Sequence, residues 1–271
     1  MGAGVPKQYL PLAGRPVIEH TLARLAAEPR IAGIVVALAE GDGHWARVRR
    51  PAGTPVLTAP AGPERAWSVL GALERLAAET HADDWVLVHD AARPCVRTED
   101  VARLIDALAE DPVGGLLAVP VRDTLKAVDG DGRVRETVPR ADLWHALTPQ
   151  MFRLGMLREA LAAALGAGEA VTDDAAAMER AGFRPRVVEG SADNIKITRP
   201  EDLALAELLL ARQAAGGAPR RADAGPERSA GQVRGARRGP QAGARDCGHD
   251  AEPASVARGS GKAGRADAEG G

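Results

Sequence analysis

Cysteine is scarce in this chain of 271 residues: there are two, Cys95 after Arg93-Pro94 and Cys247 in the last quarter. Two thiols so placed supply neither a disulfide framework nor zinc-ligand spacing, and they read as free thiols of a reducing compartment. No apolar run approaches the roughly 18 residues of a membrane span, and the first residues lack a basic-then-apolar leader. The expected location is cytoplasmic. An excess of positive charge is also lacking. The first 212 residues carry 25 Lys and Arg against 30 Asp and Glu. A mildly acidic body argues against broad nucleic-acid binding and leaves basic sites to local clusters. From Gln213 to Gly271 there is no Leu, Ile, Phe, Met, Trp or Tyr, and only two valines. Such a stretch cannot bury enough apolar surface to offset its ordering entropy. Residues 213–271 are therefore expected to be a disordered Gly/Ala/Arg/Pro-rich tail behind a folded domain of residues 1–212.

Within that domain, apolar runs alternate with helical patterns. Helices are expected over Pro16–Ala27, Trp67–Glu79, from Thr98 as cap through Leu108, Leu154–Leu165, Asp173–Ala181, and after a capping box at Thr198–Glu201. Continuous apolar runs at Ile31–Leu38, Trp85–Val88 and Gly115–Val121 read as buried strands. Arg186–Val188 and Asn194–Thr198 read as short strands. Alternation at Thr124–Val128 and Val134–Val138 around Asp129-Gly-Asp-Gly132 reads as a β-hairpin that is partly polar on both faces. The expected class is α/β, a mostly parallel sheet with helices on both faces and a protruding hairpin arm over residues 124–140.

In such sheets ligands sit at the carboxyl ends of strands. Asp90 stands at one such end, in His89-Asp90-Ala-Ala-Arg93-Pro94. It either holds a divalent cation beside phosphates or caps the following turn. Arg93 suits a phosphate. Lys7 offers a point charge near a loop end. Gly62 permits close backbone approach ahead of a helix, and Ser68 adds a hydroxyl near the start of that helix; the pair holds a base or ribose, or is an ordinary helix cap. Arg140, Thr172 and Lys196 complete the inventory for a phosphorylated polyol, with Thr172 alternatively a plain N-cap.

Seven stretches, in order, carry a resemblance: Pro-Lys-Gln-Tyr-Leu-Pro-Leu (6–12), Ser-Val-Leu (68–70), Val-His-Asp-Ala-Ala-Arg-Pro (88–94), Val-Pro-Val-Arg-Asp-Thr-Leu-Lys (119–126), Leu-Trp-His-Ala-Leu-Thr-Pro-Gln (143–150), Val-Thr-Asp-Asp (171–174) and Asp-Asn-Ile-Lys-Ile-Thr (193–198). Together they resemble the 2-C-methyl-D-erythritol 4-phosphate cytidylyltransferase family of the non-mevalonate isoprenoid pathway. The resemblance implies a Rossmann-like nucleotidyltransferase that joins CTP and methylerythritol phosphate, with Mg²⁺. It implies that Lys7 contacts the CTP phosphates and that Asp90 serves the metal and the ribose-phosphate region of the nucleotide. Gly62 and Ser68 then hold the cytidine. Arg93, Thr124, Arg140, Thr172 and Lys196 bind methylerythritol phosphate, and Lys196 also stabilises the transferring phosphorus. It further implies a homodimer embraced through the hairpin arm.

The family pattern begins with an apolar strand and a Gly-x-Gly-x-Arg loop, and this chain starts at the Met-Gly that follows them. The expectation is a sheet without its first, interior strand, and a natural protein longer than this chain. Two alternatives stand beside the main reading: a ribitol 5-phosphate cytidylyltransferase of the same frame, and an inactive truncated homologue that only dimerises.

Overall fold

A computed structural model describes residues 5–215. The tail expected from residue 213 therefore lies, from residue 216 on, outside the described residues. Lys7–Tyr9 forms a single 3-10 turn. A two-residue hairpin follows, β1 Pro11–Leu12 and β2 Arg15–Pro16, turning on Ala13 and Gly14, both at positive φ. Helix α1, Val17–Ala26, starts behind Pro16 and buries Val17, Ile18 and Leu22. Strands β3 Ile34–Leu38 and β4 Val56–Pro60 pair in parallel, and α2 runs Arg65–Ala77. Then come β5 Trp85–Val88, α3 Thr98–Leu108 and β6 Gly114–Pro120. The arm is β7 Leu125–Val128 and β8 Val134–Val138. The chain finishes with β9 Trp144–Arg153, α4 Leu154–Gly166, α5 Asp174–Arg180, β10 Arg186–Glu189 and α6 Glu201–Ala214.

The α/β class and the hairpin arm are as the sequence indicates. The sheet is mixed rather than mostly parallel. Its order is β10-β6-β9-β5, and only β10 and β6 are parallel. Strand β9 returns from the arm and so runs antiparallel to both β5 and β6. Packing fixes this sheet between helices: Phe152, Leu157, Leu161 and Met178 close one cluster, Leu104, Leu108 and Leu117 another, all fully buried. Strand β10 approaches so closely that a Cβ on Gly115 would lie well inside the van der Waals radius of the Arg186 carbonyl oxygen.

The β-structure is divided. The β3–β4 pair is not hydrogen-bonded to the four-stranded sheet, and β5 is an edge. Both β3 and β5 are wholly apolar or nearly so, and both are only partly buried along their whole length. Helix α2 covers β3 and β4 while its Val69 and Leu70 pack in the cluster that holds Val86 and Val88 of β5.

Several local expectations are corrected. Strands β4 and β9 went unread, because Pro60 ends β4 and β9 carries Pro149, and proline argues against a strand. Asn194–Thr198 is not a strand; its backbone is tied to loops instead. Thr98 does not cap α3; its hydroxyl meets the Arg24 carbonyl. Asp173, not Thr172, caps α5, accepting the Ala176 N–H at 2.9 Å. Before α6 the closing carboxylate is Asp202, which accepts the N–H groups of Thr198 and Arg199 at 2.8 Å each. The hairpin behaves as read. Asp129 Oδ1 accepts the N–H groups of Asp131 and Arg133 across the turn, and Val128 and Val134 stay exposed.

Candidate active site

Strand β5 ends at Val88 and delivers His89 and Asp90 to a turn closed by the Arg93 N–H on the Asp90 carbonyl at 3.0 Å. The His89 ring is fixed at both nitrogens. Nε2 faces the Arg93 carbonyl at 3.2 Å, which can only accept, so Nε2 carries the proton. Nδ1 therefore accepts from the Thr148 hydroxyl at 2.9 Å. That hydroxyl oxygen also accepts the Asp90 N–H at 3.2 Å. Burial dominates here and drives the His89 pKa down to about 4, so the ring is neutral at pH 7.

Three cationic side chains meet the Asp90 carboxylate. Arg65 Nε donates to Oδ1 at 3.0 Å. Lys196 Nζ lies 2.9 Å from Oδ2, and Arg93 Nε 3.5 Å from the same oxygen. Burial alone would raise this carboxyl; Lys196 and Arg65 overcome it and hold the group well below the usual carboxylate range. Lys7 stands close enough to feel both partners. Burial and then the Lys196 charge lower its pKa, while Asp90 pulls it up. Arg65 is anchored from behind by Asp174, a wholly buried carboxylate, through two bonds of 3.1 and 2.8 Å. That fork-to-fork geometry fixes the guanidinium plane.

These groups border a cleft of about 300 Å³ lined by Arg65, Asp90, Arg93, Thr148, Gln150, Thr172, Asp173 and Lys196, among others. Gln150, on β9, is buried and binds the N-terminal turn of α5. Its Oε1 accepts the Ala175 N–H at 2.7 Å and its Nε2 donates to Asp173 at 2.9 Å. Gly62 and Ser68 form a separate lip. The Gly62 N–H donates to Ser68 Oγ at 3.1 Å, and the Ser68 hydroxyl reaches the Glu64 carbonyl at 3.1 Å. A side chain on Gly62 would collide with Trp67, so the loop lies directly on the first turn of α2.

The structure thus brings together Asp90, Arg93, Thr172 and Lys196 around the cleft; Lys7 feels the charges of Lys196 and Asp90 but does not line it. Gly62 and Ser68 do not line the cleft, although Arg65 between them does. Thr124 and Arg140 are exposed on the arm and do not line it; Arg140 donates to the Arg122 carbonyl. Sequence reasoning missed Arg65, Asp174, Thr148 and His89 as parts of the site. The signal for His89 and Thr148 was at hand, since both stand inside the stretches that carry the resemblance. Asp174 stands inside one as well, at 171–174, whereas Arg65 lies outside all of them, and the pairing of the two, 109 positions apart, left no trace in the sequence.

A sequence model described as 2-C-methyl-D-erythritol 4-phosphate cytidylyltransferase matches residues 1–212. The chain belongs to this family. Among similar proteins, the 2-C-methyl-D-erythritol 4-phosphate cytidylyltransferase of Pseudomonas aeruginosa is 59% identical over 204 residues, covering 75% of this chain and 87% of the relative. That of Ectopseudomonas mendocina is 57% identical over 205 residues with the same coverage. Among solved structures, a 4-diphosphocytidyl-2C-methyl-D-erythritol synthase superposes with a TM-score of 0.69 at 37% identity, covering 75% of this chain and 94% of the other. The cytidylyltransferase of Thermus thermophilus gives 0.63 at 38% identity, covering 76% and 94%. The family match spans every strand of the structure, β1 to β10, and so includes the whole cleft.

Proposed function

We propose that this chain transfers the cytidylyl group of CTP to 2-C-methyl-D-erythritol 4-phosphate, releasing pyrophosphate, as a step of isoprenoid biosynthesis. The observation that carries the reading is the convergence of Lys196, Arg93 and Arg65 on one carboxylate at the end of β5, with the Lys7 charge near them. Two polyanions must meet at such a centre, and cations held in advance supply the charge that their meeting requires. A phosphate oxygen of the alcohol attacks the α-phosphorus of CTP; the bond to the bridging oxygen breaks and pyrophosphate leaves with the electron pair. Lys7 takes the triphosphate. Lys196 passes from Asp90 to the phosphoryl oxygens as charge builds there. Arg93 and Thr172 take the phosphate of the alcohol, and the Gly62–Ser68 lip takes the cytidine.

Asp90 would hold the Mg²⁺. Among the described residues no group of three or more His, Cys, Asp and Glu is placed to cage a metal. One carboxylate beside a triphosphate fits the habit of Mg²⁺, which keeps waters and phosphate oxygens as its other ligands. The ion would neutralise phosphate charge. Thr124 and Arg140 fit the scheme as groups of an arm that reaches a second subunit, and exposed Val128 and Val134 give that arm an apolar surface to bury. A homodimer follows as part of the proposal. A cytoplasmic location belongs to it too, resting on the scarcity of cysteine; no helix among the described residues is long and apolar enough to cross a membrane.

Turnover with purified alcohol phosphates tests the reading. Lys196→Ala should lower kcat by about 10³-fold, the cost of removing one preorganised charge at the transferring phosphorus. Methylerythritol phosphate should be preferred to ribitol 5-phosphate. Turnover near that of the unaltered protein would remove Lys196 from the chemistry, and preference for ribitol 5-phosphate would move the chain to the sister activity.

A further inference from the structure

Lys196 sits on a segment without regular secondary structure, so its position must be fixed by individual bonds. Three are backbone or amide ties. The Ile197 N–H donates to the Ala92 carbonyl at 2.8 Å. Arg93 Nη1 donates to the Asn194 carbonyl, and Asn194 Nδ2 to the Thr148 carbonyl, each at 2.7 Å. A fourth tie is ionic. Asp193 Oδ2 accepts from Arg97 Nη2, just ahead of α3, and Asp193 Oδ1 accepts from Arg212 Nη2 on α6 at 2.6 Å. We propose that Asp193 is a positioning residue: its two arginine bonds set the segment that carries Lys196 and thereby aim the ammonium at the reacting phosphorus. The proposal rests on the reading of Lys196 given above.

The burial of the partners ranks the two bonds. Asp193 and Arg97 have side chains only 14% and 17% exposed, whereas Arg212 is 49% exposed. An exposed pair contributes little; a mostly buried one is costly to break because a charge is left alone. Arg97 Nε is buried without a hydrogen-bond partner, and among the described residues Asp193 is the carboxylate its guanidinium bonds. Asp193 is equally committed, since each of its oxygens already faces a guanidinium. The same corner of the molecule is reinforced by Asp100, which accepts the Ser191 N–H at 2.9 Å from the first turn of α3. The ends of α3 and α6 therefore act together on residues 191–196.

Steady-state kinetics with a double substitution separates positioning from bulk stability. Asp193→Asn keeps the shape and removes the charge. It should lower kcat by about 10- to 100-fold, the range expected when a catalytic group is misplaced by about 1 Å. The KM for CTP should stay within about twofold, because nothing on the Gly62–Ser68 lip is attached to this corner. Asp193→Glu should recover part of the loss. Arg212→Ala, at an exposed position that leaves the fold intact, should cost about three- to tenfold in kcat. In a Lys196→Ala background, Asp193→Asn should cost nothing further, since it acts through the group already removed. Full additivity of the two substitutions, an unchanged kcat in Asp193→Asn and Arg212→Ala, or a loss confined to KM for CTP would each overturn the proposal. Near-normal turnover of Lys196→Ala would instead sink the reading of the site on which it rests.

Discussion

Replacing Arg65 by methionine removes the one cation that, among the described residues, is ion-paired with the buried Asp174 carboxylate. Arg65 bridges Asp174, at 2.8 Å, and Asp90, at 3.0 Å, and its side chain is 30% exposed while that of Asp174 is wholly buried. Each contact is worth about 6 kcal/mol as bare attraction at an effective dielectric of about 20, but most of that offsets the cost of taking the charges out of water. What remains measurable is the penalty of an abandoned charge, about 3–5 kcal/mol when one partner of a buried pair is removed. Partial exposure of Arg65 puts the expected loss near the low end, about 3 kcal/mol, against a total stability of about 5–15 kcal/mol. Urea unfolding would show it as a midpoint lowered by about 1.5 M for a slope of about 2 kcal/mol per molar. Two controls sharpen the result. Arg65→Met combined with Asp174→Leu should recover most of the loss, because no buried charge is then left alone. The penalty of Arg65→Met should also shrink in acid. Burial already holds the Asp174 pKa above its ordinary value, and removing Arg65 raises it further. A carboxyl whose folded pKa exceeds its unfolded value binds more protons when folded, so stability falls as pH rises between the two. The variant should therefore be closer to the unaltered protein at pH 5 than at pH 8. A loss below about 0.5 kcal/mol, or a double variant weaker than the single one, would refute the assignment of Arg65 as the indispensable partner.

Two further outcomes are open to measurement. His89 is neutral in the folded state with its pKa lowered to about 4; the unfolded chain binds its proton first, so stability present above about pH 6.5 is lost as pH falls toward 4, by up to about 3 kcal/mol. Unfolding of His89→Gln across that window should lack one proton's worth of slope, and a profile parallel to that of the unaltered protein would count against a buried neutral imidazole. Gly115→Ala should detach β10 from β6, since the added methyl meets the Arg186 carbonyl. Amide exchange at Val187–Glu189 reads this out, and unchanged protection there would show that the strands are less closely apposed.

The sequence was most legible where local chemistry and tertiary role coincide. Trp85–Val88 is an apolar run that stops at a polar pair, so the placement of Asp90 at a strand end could be read directly. The hairpin was equally plain, because Asp129 and Gly132 serve the turn themselves. Strand β9 was hidden because its buried polar groups are satisfied at long range. Gln150 finds Ala175 and Asp173, and Thr148 finds His89 and Asn194. Asn194–Thr198 failed in the opposite sense. It has the alternation of a strand, but its hydrogen bonds go to Ala92, Arg93 and Thr148 rather than to a ladder. The α5 cap was displaced by one residue from Thr172 to Asp173, a shift that sequence alone rarely resolves. Arg65 could be named as a helix-start residue, yet its purpose depends on Asp90 and Asp174, which only the folded chain brings to it.

The division of the β-structure has a thermodynamic consequence for the site. Strand β4 runs into the Gly62–Ser68 lip, with the Ala61 N–H on the Leu38 carbonyl at 2.7 Å, whereas β5 runs into Asp90. The two walls of the proposed nucleotide site thus belong to separately hydrogen-bonded sheets, tied across the seam by helix α2 and by the Arg65–Asp90 bond. A nucleotide that touches both walls is a third tie. By mass action it lends the seam about 2.7 kcal/mol at a concentration 100 times its dissociation constant. The exchange runs both ways: whatever loosens the seam weakens the nucleotide by the same amount, so substrate affinity becomes a gauge of how firmly the two sheets are joined.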